Sequence, residues 1–277
     1  MPQKLSLLQR LFTLRNTVPV IRLEGHIESG ARGPSARALN IAGTSRVIDR
    51  AFAFPRSVAV ALVINSPGGS AAQSHLIAER IVRLSKEKNK PVYAFVEDSA
   101  ASGGYILALA AHEIYCNPFS LVGSIGVIHS SFGFQDAIQK LGIERRLKTA
   151  GKHKSLLDPF SKETEEDNRR IREILDSMHA QFKGYVKQRR GSKLKQPDEV
   201  LFEGDIWLGE KAVEYGLADG IGDVRTVLRA KFGPDILLPL IAPPPRFPFP
   251  VDVGASTTVS NLVSELRGSA YWQKLGL

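Results

Sequence analysis

The apolar positions of this chain fall into short unbroken runs bounded by turn residues, alternating with longer segments of helical spacing. Val58-Ala-Val-Ala-Leu-Val-Ile64 is a continuous apolar run that stops at Asn65-Ser-Pro-Gly-Gly-Ser70. Such a run, short and rich in β-branched residues, predicts a strand buried on both faces, as in a parallel sheet. The segment after it places Leu76, Ile77, Ile81 and Leu84 on one helical face and ends near Lys90-Pro91. Pro91-Val-Tyr-Ala-Phe-Val96 predicts the next strand, and a further apolar segment runs from Tyr105 to Ala111. The order strand, helix, strand, helix between Val58 and Ala111 predicts a right-handed βαβ unit.

The same reading extends outward. Val18 to Leu23 predicts a first strand, Glu28 to Thr44 a loop, and Ser45 to Phe52 a short helix. Glu113 to Asn117 predicts a strand. Leu121 to Ile128 is an apolar run broken by Gly123 and Gly126, Ser130 to Leu141 reads as a helix, and Ile143 to Leu147 as a strand. A long helix follows, with Ser161 as N-cap and Glu163, Glu165, Glu166 and Asp167 in its first turns. Lys183, Lys187, Arg189 and Arg190 at its end complement the helix dipole. Its apolar stripe, Ile171, Ile174, Leu175, Met178 and Phe182, reads as core. Helical pieces at Pro197–Phe202 and Leu208–Tyr215 are separated by Gly204-Asp-Ile-Trp207, and Val224–Phe232 is the last domain helix.

Composition narrows the class. With 277 residues, 43% apolar and 23% charged, the chain suits one α/β domain with appendages. The net charge of +9 is spread along the sequence, with no nucleic-acid motif and no zinc-ligand spacing, so neither nucleic acid nor metal is expected. The single cysteine, Cys116, allows no intrachain disulfide and suits a reducing compartment. Residues 1–17 form a basic segment with Lys4, Arg10 and Arg15 among leucines, suited to peripheral membrane contact through residues 1–20. No apolar run reaches the ~18 to 20 residues of a membrane span, and a cytoplasmic location, peripheral at the inner membrane, is expected. The remaining boundaries are a peptidase-sized domain at 18–233, a proline-rich linker at 241–250, and a tail at 251–277 with helical spacing around Leu262, Leu266 and Trp272.

Two Gly-Gly turns follow carboxyl ends of predicted strands: Ser66-Pro-Gly-Gly69 and Ala101-Ser102-Gly-Gly-Tyr105. That edge is where parallel sheets build sites. Taken alone, Ser102 reads as a helix N-cap in a crowded turn. The alternative is a nucleophile, because a helix beginning at Gly103 would aim free N–H groups toward the hydroxyl. The backbone N–H groups of Gly69 and Gly103 are then the natural oxyanion donors.

Ser66-Pro-Gly-Gly69, Ala101-Ser102-Gly-Gly-Tyr105, Gly123-Ser124-Ile-Gly-Val127 and Lys154 occur together in an order and spacing that resembles the signal peptide peptidase A (protease IV) family, over about Val18 to Leu228. The resemblance implies a crotonase- and Clp-protease-like α/β fold of stacked ββα units with a mostly parallel sheet, plus C-terminal helices. It implies a serine–lysine endopeptidase acting on hydrophobic peptides, such as cleaved signal peptides or membrane-protein segments, without a cofactor. Ser102 maps onto the nucleophile and Lys154 onto the general base, and a ring-forming homo-oligomer is expected. Only the resemblance selects Lys154 over Lys148 or Lys152. A lysine accepts a proton only when its amine is neutral, which calls for a desolvated pocket. Ser124 is either a supporting hydroxyl that orients the amine or a strand serine bonded to backbone.

Three other readings stand beside this one. His129 could act as base for Ser102, as in the related Clp subunit, with Asp158 or Glu97 behind it. A crotonase-type enzyme acting on an acyl-CoA would use the same Gly-Gly turn. A non-catalytic scaffold would bind apolar peptides without turnover.

Overall fold

The computed structural model describes residues 15–29 and 39–242. Most of the basic N-terminal segment, the proline-rich linker and the C-terminal tail lie outside the described residues. The described residues form two compact units. One runs to Ile125 and resumes at Val186; the other is Gly126–Tyr185.

The first unit is built on a sheet. Strands β1 (Val20–Glu24), β2 (Val60–Ser66), β3 (Val92–Ala101), β4 (Glu113–Cys116) and β7 (Gly220–Ile221) lie side by side in that order, all parallel. β5 (Leu121–Gly123) pairs in parallel with the end of β3, and β6 (Ile206–Leu208) pairs antiparallel with β5. The α/β architecture with a mostly parallel sheet is therefore as expected. Side chains alternate across the pleat. Val20, Ala61 and Tyr93 stand in register, and they pack with Val63, Phe95, Leu228 and Ile236 in one buried cluster. Ile21, Leu62 and Ala94, fully buried on the opposite parity, face the other way.

The helices of this unit are α1 (Ile41–Phe52), α2 (Ala71–Lys88), α3 (Gly103–Ala108), α6 (Asp198–Leu201), α7 (Gly209–Glu214) and α8 (Val224–Phe232). α1 begins earlier than the sequence pattern predicts, because Asn40 caps it by accepting the Gly43 N–H at 2.8 Å. On α2 the buried face is Ser74, Ile77, Ala78, Ile81, Val82 and Ser85; the predicted stripe residue Leu76 is 49% exposed. Ile206 and Trp207, predicted as connector, and Leu208, predicted as the start of a helix, form a strand because β5 supplies their partners.

β3 is longer than predicted and changes partners midway. Tyr93–Val96 pair with Glu113–Cys116, whereas Ser99–Ala101 pair with Leu121–Gly123. Between these stretches the β2–β3 register jumps from Ile64↔Val96 to Ser66↔Ala100. Glu97, Asp98 and Ser99 thus oppose Asn65 alone, a bulge that re-aims the strand. Ser120 Oγ fastens it by donating to the Val96 carbonyl at 3.1 Å. At the sheet's outer edge, Leu237 and Pro239 accept from the Val18 and Val20 N–H groups, both at 2.8 Å, so a C-terminal segment covers β1.

The second unit contains α4 (Gln135–Lys140) and the start of α5 (Glu165–Arg190), whose last turn from Val186 belongs to the first unit. The helix predicted from Ser130 is confined to α4, and Ile143–Leu147 form no strand. Thr164, not Ser161, starts α5: its Oγ accepts the Asp167 N–H at 3.1 Å while Asp167 Oδ2 accepts the Thr164 N–H at 3.1 Å. This is a reciprocal capping box with aspartate in place of glutamate. The stripe expected to be core is only partly so, since Ile174 and Met178 are exposed.

Candidate active site

The bulge in β3 delivers Ser102. This residue sits at φ 51 and ψ −119, left-handed backbone that costs a non-glycine residue about 1–3 kcal/mol. Backbone bonds hold it there: its N–H donates to the Gly123 carbonyl at 2.8 Å, and its carbonyl accepts from Tyr105 N–H at 2.9 Å. Ser102 occupies the cap position of α3, yet its side chain makes no capping bond. The helix-cap reading is therefore corrected: the hydroxyl is not engaged in holding the helix.

The two Gly-Gly turns meet at this point. A methyl group on Gly68 would lie 2.7 Å from both the Ala101 carbonyl oxygen and the Gly103 nitrogen. A methyl on Gly103 would lie 3.2 Å from the Gly69 nitrogen and 2.4 Å from Ser74 Oγ. Neighbouring bonds to Ile27 fix the first turn: Ile27 N–H donates to Gly68 O at 2.8 Å, and Ser70 N–H donates to Ile27 O at 2.7 Å. These bonds leave out the Gly69 and Gly103 N–H groups, neither of which has an acceptor among the described residues. Two unengaged backbone donors beside a strained serine turn can receive a developing oxyanion.

Ser124 follows Gly123, the register partner of Ala101, and shares the left-handed φ of 51. Its N–H donates to Asp205 O at 2.6 Å, so its conformation is held by the residue that precedes β6. Sequence reasoning missed two further serines, Ser66 and Ser74, both fully buried. Ser66 Oγ donates to Gly25 O at 2.7 Å and accepts from Gly68 N–H at 3.2 Å, and Ser74 Oγ donates to Ser70 O at 2.9 Å. The available signal was their position, flanking the Gly68-Gly69 turn.

The first unit thus brings together Ser102, Gly69, Gly103 and Ser124; Lys154 and His129 belong to the second. Within that unit Lys154 lies in a turn, its N–H donating to Gly151 O at 3.2 Å, and is exposed. The desolvated surroundings expected of a lysine base are not supplied by this loop itself. The loop is fastened through His153, whose Nε2 lies 2.8 Å from Arg170 Nη2, and Arg170 in turn bonds Glu166. Arg170 first, and Lys152 next, hold the Glu166 carboxyl below its usual range. The acids considered for a histidine mechanism are engaged elsewhere: Glu97 by Arg22 at 3.0 Å and Asp158 by Arg145 at 2.9 Å.

A bulged parallel strand that ends in a left-handed serine, faced by a second glycine turn, marks an α/β protein with a candidate site at the carboxyl edge of a mostly parallel sheet. Comparison with known proteins narrows the class. Residues 85–231 match the model of peptidase family S49, and the chain belongs to that family. It is 47% identical over 237 residues to a protein named Na(+)/H(+) antiporter NhaA of Brucella abortus, covering 85% of this chain and 32% of that one. It is 31% identical over 227 residues to the chloroplastic serine protease SPPA of Arabidopsis thaliana, covering 78% of this chain and 32% of that one. The chain thus spans about a third of the length of these curated relatives. A solved membrane-bound stomatin-specific protease, an alanine mutant in complex with a substrate peptide, shares the fold with a TM-score of 0.52 at 16% identity, covering 91% of this chain and 99% of that one. No helix among the described residues is long and apolar enough to cross a membrane.

Proposed function

We propose that this protein is a serine endopeptidase in which Ser102 attacks a peptide carbonyl, Lys154 takes its proton, and the Gly69 and Gly103 N–H groups hold the oxyanion. The acyl-enzyme forms as the carbonyl carbon bonds to Ser102 Oγ and the amine leaves with a proton. Water activated by the same lysine then releases the acid. Ser124, which like Ser102 follows the registered pair Ala101–Gly123 of β3 and β5, orients the lysine amine. The observation that carries this reading is the pair of unengaged amides against a serine whose hydroxyl caps nothing. Membership of a peptidase family supports the reaction class.

Apolar peptides, including cleaved signal peptides and membrane-protein segments, are the proposed substrates, and a ring-forming homo-oligomer the proposed assembly. The assembly is supported by apolar side chains that the second unit leaves in solvent: Ile128, Phe132 and Leu141 are 73–79% exposed. Association would also exclude water, which a lysine base requires.

The test is turnover of an apolar peptide library by wild type, Ser102→Ala, Lys154→Ala and His129→Ala, with fluorophosphonate labelling of Ser102 read in parallel. Ser102→Ala and Lys154→Ala should both lose turnover and His129→Ala should keep it. Loss in His129→Ala with Lys154→Ala unharmed would overturn the assignment of the base.

A further inference from the structure

Helix α3 starts next to Ser102 and is only six residues long, so its far end lies ~9 Å away. The chain around that end is buried: Leu109, Ala110 and Ala111 are 1%, 0% and 7% exposed. Their carbonyls lie past the end of the helix ladder and need other donors. One side chain supplies all three. Arg189 Nε donates to Leu109 O at 2.6 Å, and its Nη2 lies 3.2 Å from Ala110 O and 3.4 Å from Ala111 O.

Arg189 sits in the last turn of α5, whose neighbours are also anchored. Val186 is fully buried. Arg190 donates to Gly216 O at 2.8 Å and to Asp219 Oδ2 at 2.7 Å. Asp219 Oδ2 also accepts the Ile114 N–H of β4 at 2.8 Å, and Tyr105 of α3 donates its hydroxyl to Leu217 O at 2.8 Å. The last turn of α5 is thus bonded to the far end of α3 and to the 216–219 turn that holds its first turn.

We infer that Arg189 is a positioning residue for the reaction: by gripping the carbonyls at the end of α3, it fixes the segment that presents Ser102 and the Gly103 amide. This rests on Ser102 and Lys154 being nucleophile and base. A misplacement of ~1 Å at a catalytic group can cost as much as ~100-fold in rate, so partial loosening at one end of so short a helix should be read in turnover. A lysine at this position keeps the cation and can reach part of the carbonyl set. A methionine keeps much of the packing and no donor.

The experiment compares wild type, Arg189→Lys, Arg189→Met, Arg189→Gln and the surface variant Lys187→Met on a fluorogenic apolar peptide. Turnover is expressed per serine titrated by fluorophosphonate, so that loss of folded protein is divided out. Arg189→Met should lose about tenfold in kcat per titrated site with KM within twofold, Arg189→Lys should recover to within threefold of wild type, and Lys187→Met should match wild type. Unchanged kcat per titrated site in Arg189→Met, or Arg189→Lys no better than Arg189→Met, would overturn the inference. If Arg189→Met yields no folded protein, Arg189→Gln against Arg189→Lys gives the same decision. A wild type unlabelled at Ser102 instead removes the nucleophile assignment, and this inference with it. A labelled wild type with an indifferent Arg189 removes this inference alone.

Discussion

Ser102 and Ser124 leave adjacent parallel strands one residue past a registered pair, Ala101 and Gly123, and both do so at φ 51. Ser102 N–H donates to the carbonyl of Gly123, the residue just before Ser124, so the two turns are one hydrogen-bonded structure. Two left-handed non-glycine residues side by side cost about 2–6 kcal/mol together. If Ser124 orients the base, Ser124→Ala and Ser124→Gly should each lower kcat by about tenfold. The glycine variant should melt higher than the alanine variant, since glycine accepts the left-handed backbone. Equal activity to wild type in both would reduce Ser124 to a backbone-bonded strand serine.

The contact between the glycine turns tolerates no side chain. Gly68→Ala would press a methyl against Ala101 O and Gly103 N at 2.7 Å, and Gly69→Ala would place one 2.0 Å from Ile27 O. Each should lose at least ~100-fold in kcat, in the range set by removing one oxyanion donor, and about 1–3 kcal/mol in stability from overpacking. Denaturant melts and steady-state kinetics on the same preparations check both numbers.

The pair Arg190–Asp219 predicts a specific acid sensitivity. Burial opposes ionisation of Asp219, but Arg190, Lys193 and the Ile114 N–H together hold its carboxyl below the usual range. A folded-state value below the unfolded one gives stability that is complete above the unfolded value near ~4 and drains as pH falls through the folded one. Asp219→Ala, which strands the buried Arg190, should destabilise at neutral pH by about 3–5 kcal/mol. The loss should shrink at low pH, as chemical denaturation at pH 7 and below pH 4 would report.

At the alkaline end the sign reverses. Burial pushes the Cys116 thiol from 9.0 up to about 11. The folded state then holds its proton more tightly, so stability is full below pH ~9 and declines as pH rises through 11. Cys116→Ala should flatten that decline in melts taken between pH 8 and 11. An identical slope in the variant would show that the thiol plays no part.

The apolar residues of the second unit predict the assembly state. Phe132→Glu and Leu141→Glu, at positions 79% and 73% exposed, should leave the first unit's fold intact while lowering the mass measured by light scattering. Unchanged mass in both would remove this surface from the interface.

Much of the sheet was legible because its central strands are continuous apolar runs: Ala59–Ile64 and Val92–Val96 are buried on both faces, as their composition requires. The second half of β3 was not, because Glu97 and Asp98 interrupt the pattern where the bulge turns them outward. β6 was illegible for a different reason: three residues around Trp207 become a strand only through a partner about 85 residues earlier. The helix predicted from Ser130 shrank to α4 because residues 128–134, Gly133 among them, are all exposed and leave nothing to bury. At the candidate site, Ser102, Gly69 and Gly103 are singled out by local sequence, since a turn is a local object. Lys154 was selected by resemblance alone. Arg189 was read as a charge serving its own helix, whereas its bonds go to the end of another helix 78 to 80 residues earlier.

The dependence of Ser124 on Asp205 orders events in time. Its left-handed turn, and through Gly123 that of Ser102, is completed by Asp205, the residue before β6, which is synthesised only after the whole of Gly126–Tyr185. A nascent chain therefore carries the serine long before it carries the bonds that complete its turn. Chains emerge at about 5–20 residues per second, so the roughly 100 residues from Ser102 to Asp205 leave an interval of several seconds in which the Ser102 turn is incomplete and, under the proposed mechanism, unreactive. Ribosome-bound chains arrested before Asp205 should resist fluorophosphonate, and those extended past α8 should react. Labelling of the shorter chains would show that the site needs no such closure.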